Sequence, residues 1–162
     1  GRLKQIIPEL KKYKSFVGKR EEAEIFVGEK GLRTAYEKMF SNPDKEKVAL
    51  FFYVYKKEYS EFVDNFYYKL VLFYKKNKVK FKGLASKEWA KSKYAKDTSS
   101  FIEPRYVNFP LPGTIDIYRD MILEIAWGPR PIGILIHSKE IAENYRNYFN
   151  EVWRMAKKWK LY

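Results

Sequence analysis

Residues 48–55 read VALFFYVY, and this stretch decides the fold class. Eight consecutive apolar residues, many of them aromatic or β-branched, are typical of a strand that is buried on both faces. A strand of this kind lies inside a sheet and has other elements packed above and below it. We therefore expect residues 48–55 to form a central strand, with helices supplied by the flanking sequence.

Amphipathic helices are predicted on each side of this strand. The upstream helix follows a short apolar run at residues 25–27, an expected edge strand that ends at Gly28, and it stops at Asn42-Pro43 because the residue before a proline avoids helical geometry. Ser60 is the expected N-cap of the downstream helix. The apolar positions of the two helices recur every three or four residues: Leu32, Ala35, Tyr36, Met39 and Phe40, then Phe62, Val63, Phe66, Tyr67, Leu70 and Tyr74.

The C-terminal half is rich in predicted strands. They cover residues 79–83, 105–109, 114–118, 121–126 and 131–137, with 79–83 half-exposed. Arg119-Asp120 reads as a hairpin turn, and Ser138 is the expected N-cap of a closing helix. Residues 86–100 show poor periodicity and predict a mobile loop or a short helix. The fold class that follows is α/β, a mixed β-sheet with helices on both faces.

The first 20 residues form a separate basic segment. Leu3, Ile6, Leu10, Tyr13 and Val17 alternate three and four apart, as in the seam of a coiled coil, and Pro8 would fit a first helical turn. Two interpretations stay open: the end of a dimerising linker helix, or a short helix packed on its own domain. We expect a linker over residues 1–20 and one domain over 21–162, and Gly1 in place of an initiator methionine predicts a fragment of a longer protein.

Composition restricts the function classes. The 162 residues suit one domain, and the absence of cysteine excludes disulfides and thiolate metal sites and favours a reducing cytoplasm. No stretch of 18 apolar residues predicts a membrane span. The net charge of +13 attracts polyanions, so nucleic-acid binding is an alternative function. The candidate residues for it are the lysines Lys75, Lys76, Lys78, Lys80 and Lys82.

Catalytic signatures are weak. His137 is the one histidine, and His137-Ser138-Lys139 matches the first half of an HxK phosphodiesterase motif, although Asn144 fills its acidic position. One histidine without cysteine cannot supply a zinc site. No phosphate-binding glycine loop and no GxSxG elbow is present. We therefore expect no enzymatic activity, no cofactor and no metal, and keep a His137-dependent phosphodiesterase as a minor alternative.

Carboxylates and aromatics suggest a binding site instead. Asp116 and Glu124 are expected to face each other across the predicted hairpin, with Asp120 in its turn, although such pairs often lie on a solvated face. Tyrosine and tryptophan at strand ends can stack on a ligand, or simply pack. Ligand sites in α/β folds favour the C-terminal edge of the sheet. The predicted small-molecule site comprises Tyr53, Tyr55, Asp116, Tyr118, Glu124 and Trp127, and Tyr106 is a further strand-end aromatic.

The order of motifs resembles a known family. LKQIIPELKKYK, EIFVGEKGLRTAYEKMF, TIDIYRDMILEIAW and PIGILIHSKEIAENYRNYFNEVW look like the linker helix and the effector domain of TrmB-type archaeal transcription regulators. The resemblance implies a phospholipase-D-like domain that senses sugars. It also implies a coiled-coil homodimer and a DNA-reading winged helix-turn-helix that this chain lacks. If Asp120 takes the acidic place of the family's HxKxxxxD motif, the histidine and lysine places fall on Gly113 and Ile115, which implies a catalytically inactive site.

Overall fold

One eight-stranded mixed sheet runs through the computed structural model, which describes residues 2–18, 21–44 and 48–158. The strand order is β1-β7-β6-β5-β2-β3-β4-β8. The strands are β1 (Glu22–Val27), β2 (Ala49–Phe52), β3 (Phe81–Ala85), β4 (Ile102–Tyr106), β5 (Thr114–Tyr118), β6 (Met121–Ala126), β7 (Ile132–His137) and β8 (Lys157–Lys158). The helices are α1 (Arg2–Gly18), α2 (Gly28–Met39), α3 (Ser60–Lys76), α4 (Lys87–Ala90), α5 (Lys93–Asp97) and α6 (Lys139–Met155).

Two layers of helices cover the sheet, which confirms the predicted fold class. The β2–β3 and β3–β4 pairs are parallel and the remaining pairs are antiparallel. Buried residues of α2, α3, α4 and α5 form one hydrophobic cluster with one face of the sheet. Buried residues of α6 form a second cluster with the other face.

Strand β2 is central and buried on both faces, as predicted. Ala49 belongs to the cluster beneath α2 and α3, whereas Leu50 and Phe52 belong to the cluster beneath α6. The strand is shorter than the predicted 48–55. The backbone N–H of Tyr53 still donates to the Leu84 carbonyl of β3, but that of Val54 donates to the hydroxyl of Thr114 instead of a backbone partner, and a 3-10 turn follows at Lys57–Tyr59.

Three other local predictions need correction. Ser60 is not the N-cap of α3: Tyr59 holds that position, and the Ser60 hydroxyl donates to the Lys57 carbonyl of the 3-10 turn. Strand β3 is almost fully buried rather than half-exposed, because it lies between β2 and β4. Strand β4 begins at Ile102, three residues earlier than predicted. Its Pro104 is tolerated since β8 pairs only with the last two residues of β4.

Residues 86–100 contain two short helices, α4 and α5, rather than a mobile loop. Ser86 and Ser92 cap them through their hydroxyls, which accept the backbone N–H groups of Trp89 and Ala95. Ser138 caps α6 in the same way, as predicted. The short helices bury Trp89 and Tyr94 against the sheet, and both side chains take part in the site described below.

Helix α1 is formed as predicted, with two differences. Pro8 lies inside the helix, not in its first turn. The side chains of residues 2–12 are all exposed, and Leu3 is 75% accessible, so this part of the helix does not pack on its own domain. The side chains of Tyr13 and Val17 are outside the described part. Over the residues with assigned structure, no helix combines the length and apolarity that crossing a bilayer requires.

Candidate ligand site

A cleft of about 330 Å³ opens at the edge of the sheet where β2 and β6 end and β5 begins. Its volume lies at the lower end of the range for small-molecule sites. Tyr53 and Trp127, two of the predicted site residues, line this cleft. The rest of its wall is formed by Val54, Lys56, Tyr59, Val63, Leu111, Pro112, Gly113, Thr114, Ile125 and Ala126.

A smaller chamber of about 40 Å³ lies beside the cleft, between the sheet and helices α3, α4 and α5. Tyr53 and Thr114 line both spaces and therefore stand between them. The chamber holds a few water molecules at most. Its other lining residues are Phe51, Phe52, Asp64, Tyr67, Tyr74, Phe81, Trp89, Tyr94, Ile102 and Asp116.

Asp116 is the most buried charged group of the chamber, with 5% of its surface exposed. The Tyr36 hydroxyl donates to its Oδ2 atom at 2.6 Å, and the hydroxyls of Tyr36 and Tyr67 are themselves 2.6 Å apart. Burial raises the pKa of Asp116 to about 7, although the hydrogen bond from Tyr36 lowers it in part. The chamber therefore contains a carboxyl group that has no basic neighbour and whose pKa lies close to neutral pH.

Asp64, on α3, is the second carboxylate of the chamber. It is half-buried, and burial raises its pKa. The pKa of Tyr53 and the pKa of Tyr94 are raised chiefly by burial, and the charge of Asp64 adds to both shifts. The charge of Asp116 also raises the pKa of Tyr94, so both carboxylates contribute to the shift of this tyrosine. Of the two carboxylates that line the chamber, Asp64 is therefore the more exposed and Asp116 the more buried.

Trp127 forms an aromatic wall of the cleft. Its ring lies 5.2 Å from Phe66, 5.9 Å from Tyr67 and 6.0 Å from Phe62, measured between ring centroids. The indole Nε1 is buried and has no hydrogen-bond partner among the described residues. The predicted residue Tyr55 packs edge-on against Tyr53 at 6.4 Å and lines neither space. Tyr106, at the end of β4, is partly buried against the same core.

The structure does not bring Tyr118 into this site. The Tyr118 hydroxyl accepts from the backbone N–H of Asp44 at 2.7 Å and donates to the Asp44 carbonyl at 3.0 Å, and its ring packs on Phe40. Because β5 runs antiparallel to β2, its last residue lies at the end of the sheet away from the cleft. The prediction that Tyr118 joins the other site residues is wrong.

The expected pairing of Asp116 with Glu124 is also wrong. Asp116 lies opposite Leu123 in the β5–β6 register, and Glu124 lies opposite Ile115. Side chains alternate between the faces of a sheet, so Asp116 points into the core beneath α2 and α3 while Glu124 points to the α6 side. Glu124 is exposed, and Asp120 is exposed in the hairpin turn.

The residues tied to phosphodiesterase chemistry are dispersed. His137 is exposed at the end of β7 opposite Met121, about 17 Å along the sheet from the cleft edge. The Ser138 hydroxyl caps α6 and donates to Glu21, and Lys139 and Asn144 are exposed on α6. If Asp120 takes the acidic place of the family motif, the histidine place falls on Gly113, which has no side chain, and the lysine place falls on Ile115, which is 1% exposed in the apolar core beneath α6.

The lysines of the nucleic-acid alternative do not all share one surface. Lys75, Lys76, Lys78 and Lys80 are exposed between the C-terminal part of α3 and the start of β3. Lys82 is only partly exposed and lies over the Trp153 ring of α6, 5.5 Å from its centroid, on the other face of the sheet. Among the described residues, no group of three or more histidine, cysteine or acidic side chains is placed to hold a metal ion.

Several site residues were missed by the sequence analysis as ligand candidates. They are Asp64, Tyr67, Trp89 and Tyr94, which line the chamber, and Tyr36, which donates a hydrogen bond to Asp116. Asp64 and Tyr67 are one helical turn apart on α3, next to its buried stripe of Val63, Phe66 and Leu70. A carboxylate next to a buried helical stripe could have been predicted from the sequence to lie at the edge of the core. Trp89 and Tyr94 gave none, since their segment lacks periodicity.

Comparison with known proteins identifies the fold. No protein family and no curated protein matches the sequence. Among solved structures, the phospholipase D family member Nuc from Salmonella typhimurium superposes with a TM-score of 0.60 at 10% identity, over 88% of this chain and all of that one. NucT from Helicobacter pylori gives a TM-score of 0.57 at 7% identity, over 86% of this chain and all of that one.

The fold is phospholipase-D-like. A second kind of neighbour has a similar fold: TrmBL2, described as an archaeal chromatin protein with a novel mode of DNA binding, matches with a TM-score of 0.53 at 16% identity. That match covers 98% of this chain, which spans 65% of the TrmBL2 chain. The fold expected from the sequence motifs is therefore confirmed. The phospholipase-D-like fold serves both enzymes and a chromatin protein, so the site must decide the function.

Proposed function

We propose that this chain is the non-catalytic effector-sensing domain of a TrmB-like transcription regulator in the cytoplasm. The observation that carries the proposal is the cleft and the adjoining chamber at the edge of the sheet. If Asp120 takes the acidic place of the phospholipase D motif, the histidine and lysine places fall on Gly113 and Ile115, neither of which can attack phosphorus or neutralise a phosphate oxygen. His137 lies at the opposite end of the sheet, so nothing in its position favours the phosphodiesterase alternative.

The cleft supplies what a sensor needs. Its wall combines the aromatic side chains of Tyr53, Tyr59 and Trp127 with polar groups from Thr114 and Lys56. Such walls bind sugars and other small metabolites by stacking and hydrogen bonding. The effector class we propose is a sugar or a metabolite of similar size, bound in the cleft.

Communication with DNA would run through a homodimer. Leu3, Ile6 and Leu10 present an exposed apolar seam on α1, and a second exposed aliphatic patch lies on β1 and β7 (Ile25, Val27, Ile132 and Ile134). Burying these surfaces between two copies would couple the effector domains to the linker helices. Ligand binding would then bias the DNA-reading domains that the resemblance implies.

Binding in the cleft can be tested by thermal shift with a panel of sugars and central metabolites. We expect at least one compound to raise the melting temperature, because a ligand of the native state stabilises it by mass action. Ala126→Trp should abolish the shift, since position 126 is exposed in the cleft wall and an indole there fills the space. Ala23→Trp is the matched control, an exposed strand position outside the cleft. A panel without any hit, or a hit that Ala126→Trp retains, contradicts cleft binding.

Nucleic-acid binding is a second candidate, favoured by the net charge of +13 and by the DNA-binding description of TrmBL2. If the exposed lysines contact phosphates, replacing Lys75, Lys76 and Lys78 by alanine should lower the slope of log affinity against log salt by about 3. Fluorescence anisotropy with a labelled duplex measures this slope. A control triple variant removes the scattered exposed lysines Lys30, Lys139 and Lys157. Equal slopes for both triple variants would argue against a specific lysine face.

A further inference from the structure

The charge of the inner chamber is opposite to that of the protein. The chain carries a net charge of +13, yet the residues that line the chamber include two carboxylates, Asp64 and Asp116, and no basic side chain. Neither carboxylate forms an ion pair within the described residues, where every recorded salt bridge involves other acidic groups. The chamber is thus an anionic space without a counter-charge.

Asp116 can accept further hydrogen bonds from a ligand. It is 95% buried, given its 5% exposure, and the hydrogen bond from Tyr36 to its Oδ2 is the one that the described side chains supply. A carboxylate buried without a cation is costly, because burial removes water and returns only part of its hydrogen bonds. A cationic group placed in the chamber would offset that cost, and it would also face Asp64.

The walls of the chamber suit an organic cation better than a metal ion. Aromatic side chains from β2, α3, α4 and α5 surround the carboxylates, including Phe51, Tyr67, Trp89 and Tyr94. Aromatic faces attract an ammonium group through their negative quadrupole, especially when water is excluded. Mg²⁺ and Ca²⁺ instead require several oxygen ligands or retained waters, which two carboxylates in an aromatic wall do not provide.

The size of the chamber selects the part of a ligand that fits. About 40 Å³ accommodates an ammonium head group but not a sugar ring, which needs the neighbouring cleft of about 330 Å³. Tyr53 and Thr114 lie between the two spaces, so a short chain that starts in the chamber can continue into the cleft.

We propose that the effector of this domain carries a primary amine, whose ammonium group binds in the chamber between Asp116 and Asp64 while the rest of the molecule occupies the cleft. This inference rests on the proposed effector-sensing function and names the chemical class of the effector. The two carboxylates would recognise the positive charge, and Trp89 and Tyr94 would enclose it.

The test compares ligands of one shape and different charge. Butylamine and 1,4-diaminobutane are titrated by calorimetry at pH 8 and fixed ionic strength, beside butan-1-ol and pentanoate. We expect binding of the amines and none of the alcohol or the carboxylate. Asp116→Asn and Asp64→Asn should each weaken amine binding by about 30-fold or more, because each removes one of the charges that face the ammonium group. Asp120→Asn removes the same charge from an exposed turn and should leave the affinity unchanged.

The outcomes separate this inference from the proposed function. Alcohol binding equal to amine binding, or full amine affinity in both Asp116→Asn and Asp64→Asn, overturns the amine assignment. If the amines fail to bind while a sugar or another uncharged metabolite raises the melting temperature in an Ala126-dependent way, the sensing function stands and the amine assignment is wrong. If neither amines nor any metabolite bind, both are wrong.

Discussion

Asp116→Asn is expected to abolish most of the decrease in stability that the protein shows between pH 5 and pH 8. In the folded state burial raises the pKa of Asp116 from 3.8 to about 7. Between these values the folded protein holds a proton that the unfolded chain has lost, so the free energy of unfolding falls as the pH rises. At pH 8 the carboxylate is ionised in both states and the full cost of burying it applies.

The expected magnitude is large for one side chain. The shift of Asp116 contributes a loss of about 3 kcal/mol between pH 5 and pH 8. Asparagine has the same shape, does not titrate and still accepts the hydrogen bond from Tyr36, so the variant should lack this loss. Urea denaturation at both pH values measures it. Comparing the pH dependence of the two proteins cancels any constant effect of the amide.

Asp120→Asn is the matched control, because it removes a carboxylate from the exposed turn that follows the same strand. Its unfolding should show the pH dependence of the unmodified protein. An Asp116→Asn variant that loses as much stability as the unmodified protein between pH 5 and pH 8 would mean that Asp116 is not buried in the way described here. The chamber would then lack the buried carboxylate to which amine binding is assigned.

Gly83→Ala is expected to destabilise the protein by about 3 kcal/mol through overpacking. Gly83 lies on β3 opposite Phe51 of β2, and a Cβ atom at this position would come within 2.8 Å of three atoms of the Phe51 ring. The ring cannot simply swing aside, because it packs against Phe81 and Trp89 at centroid distances of 6.0 and 5.5 Å. Since Phe51 also lines the chamber, its displacement should reduce amine binding as well.

A double-mutant cycle can assign this cost to the clash. In a Phe51→Ala background the ring is gone, so adding Gly83→Ala should have almost no further effect on the free energy of unfolding. Gly128→Ala is the control, since no atom lies within 4 Å of a Cβ built there and its φ is not in the left-handed region. If the cost of Gly83→Ala is the same with and without the Phe51 ring, the contact is not its cause.

The fold could be read from the sequence because its signals are local. Eight apolar residues around β2, the helical stripes of α2, α3 and α6, and the two-residue turn between β5 and β6 are each encoded within one element. Burial on one face leaves a period in the sequence and burial on both faces of a strand leaves a continuous apolar run, and these two patterns predicted most of the strands and the long helices. Where the period is missing, in residues 86–100, the prediction left open the choice between a loop and a helix.

The site was predicted only in part, and the reason is register. Tyr53 and Trp127 were correctly expected near one edge, since they directly follow β2 and β6, which end there, whereas Asp116 lies in the middle of β5 and lines the neighbouring chamber. Glu124 was placed wrongly because one residue of offset between β5 and β6 moves a side chain to the other face of the sheet. Tyr118 was placed wrongly because the direction of β5 relative to β2 is set by the sheet order and not by the strand's own sequence.

The sequence by itself determined the fold class and the positions of most elements. Only the tertiary structure decided that two carboxylates share one aromatic chamber, because Asp64 and Asp116 are 52 positions apart and meet through the packing of α3 on the sheet. The physical reason is that hydrophobic periodicity specifies which face of an element is buried, whereas the partners of that face depend on strand order and register. Function resides in those partners.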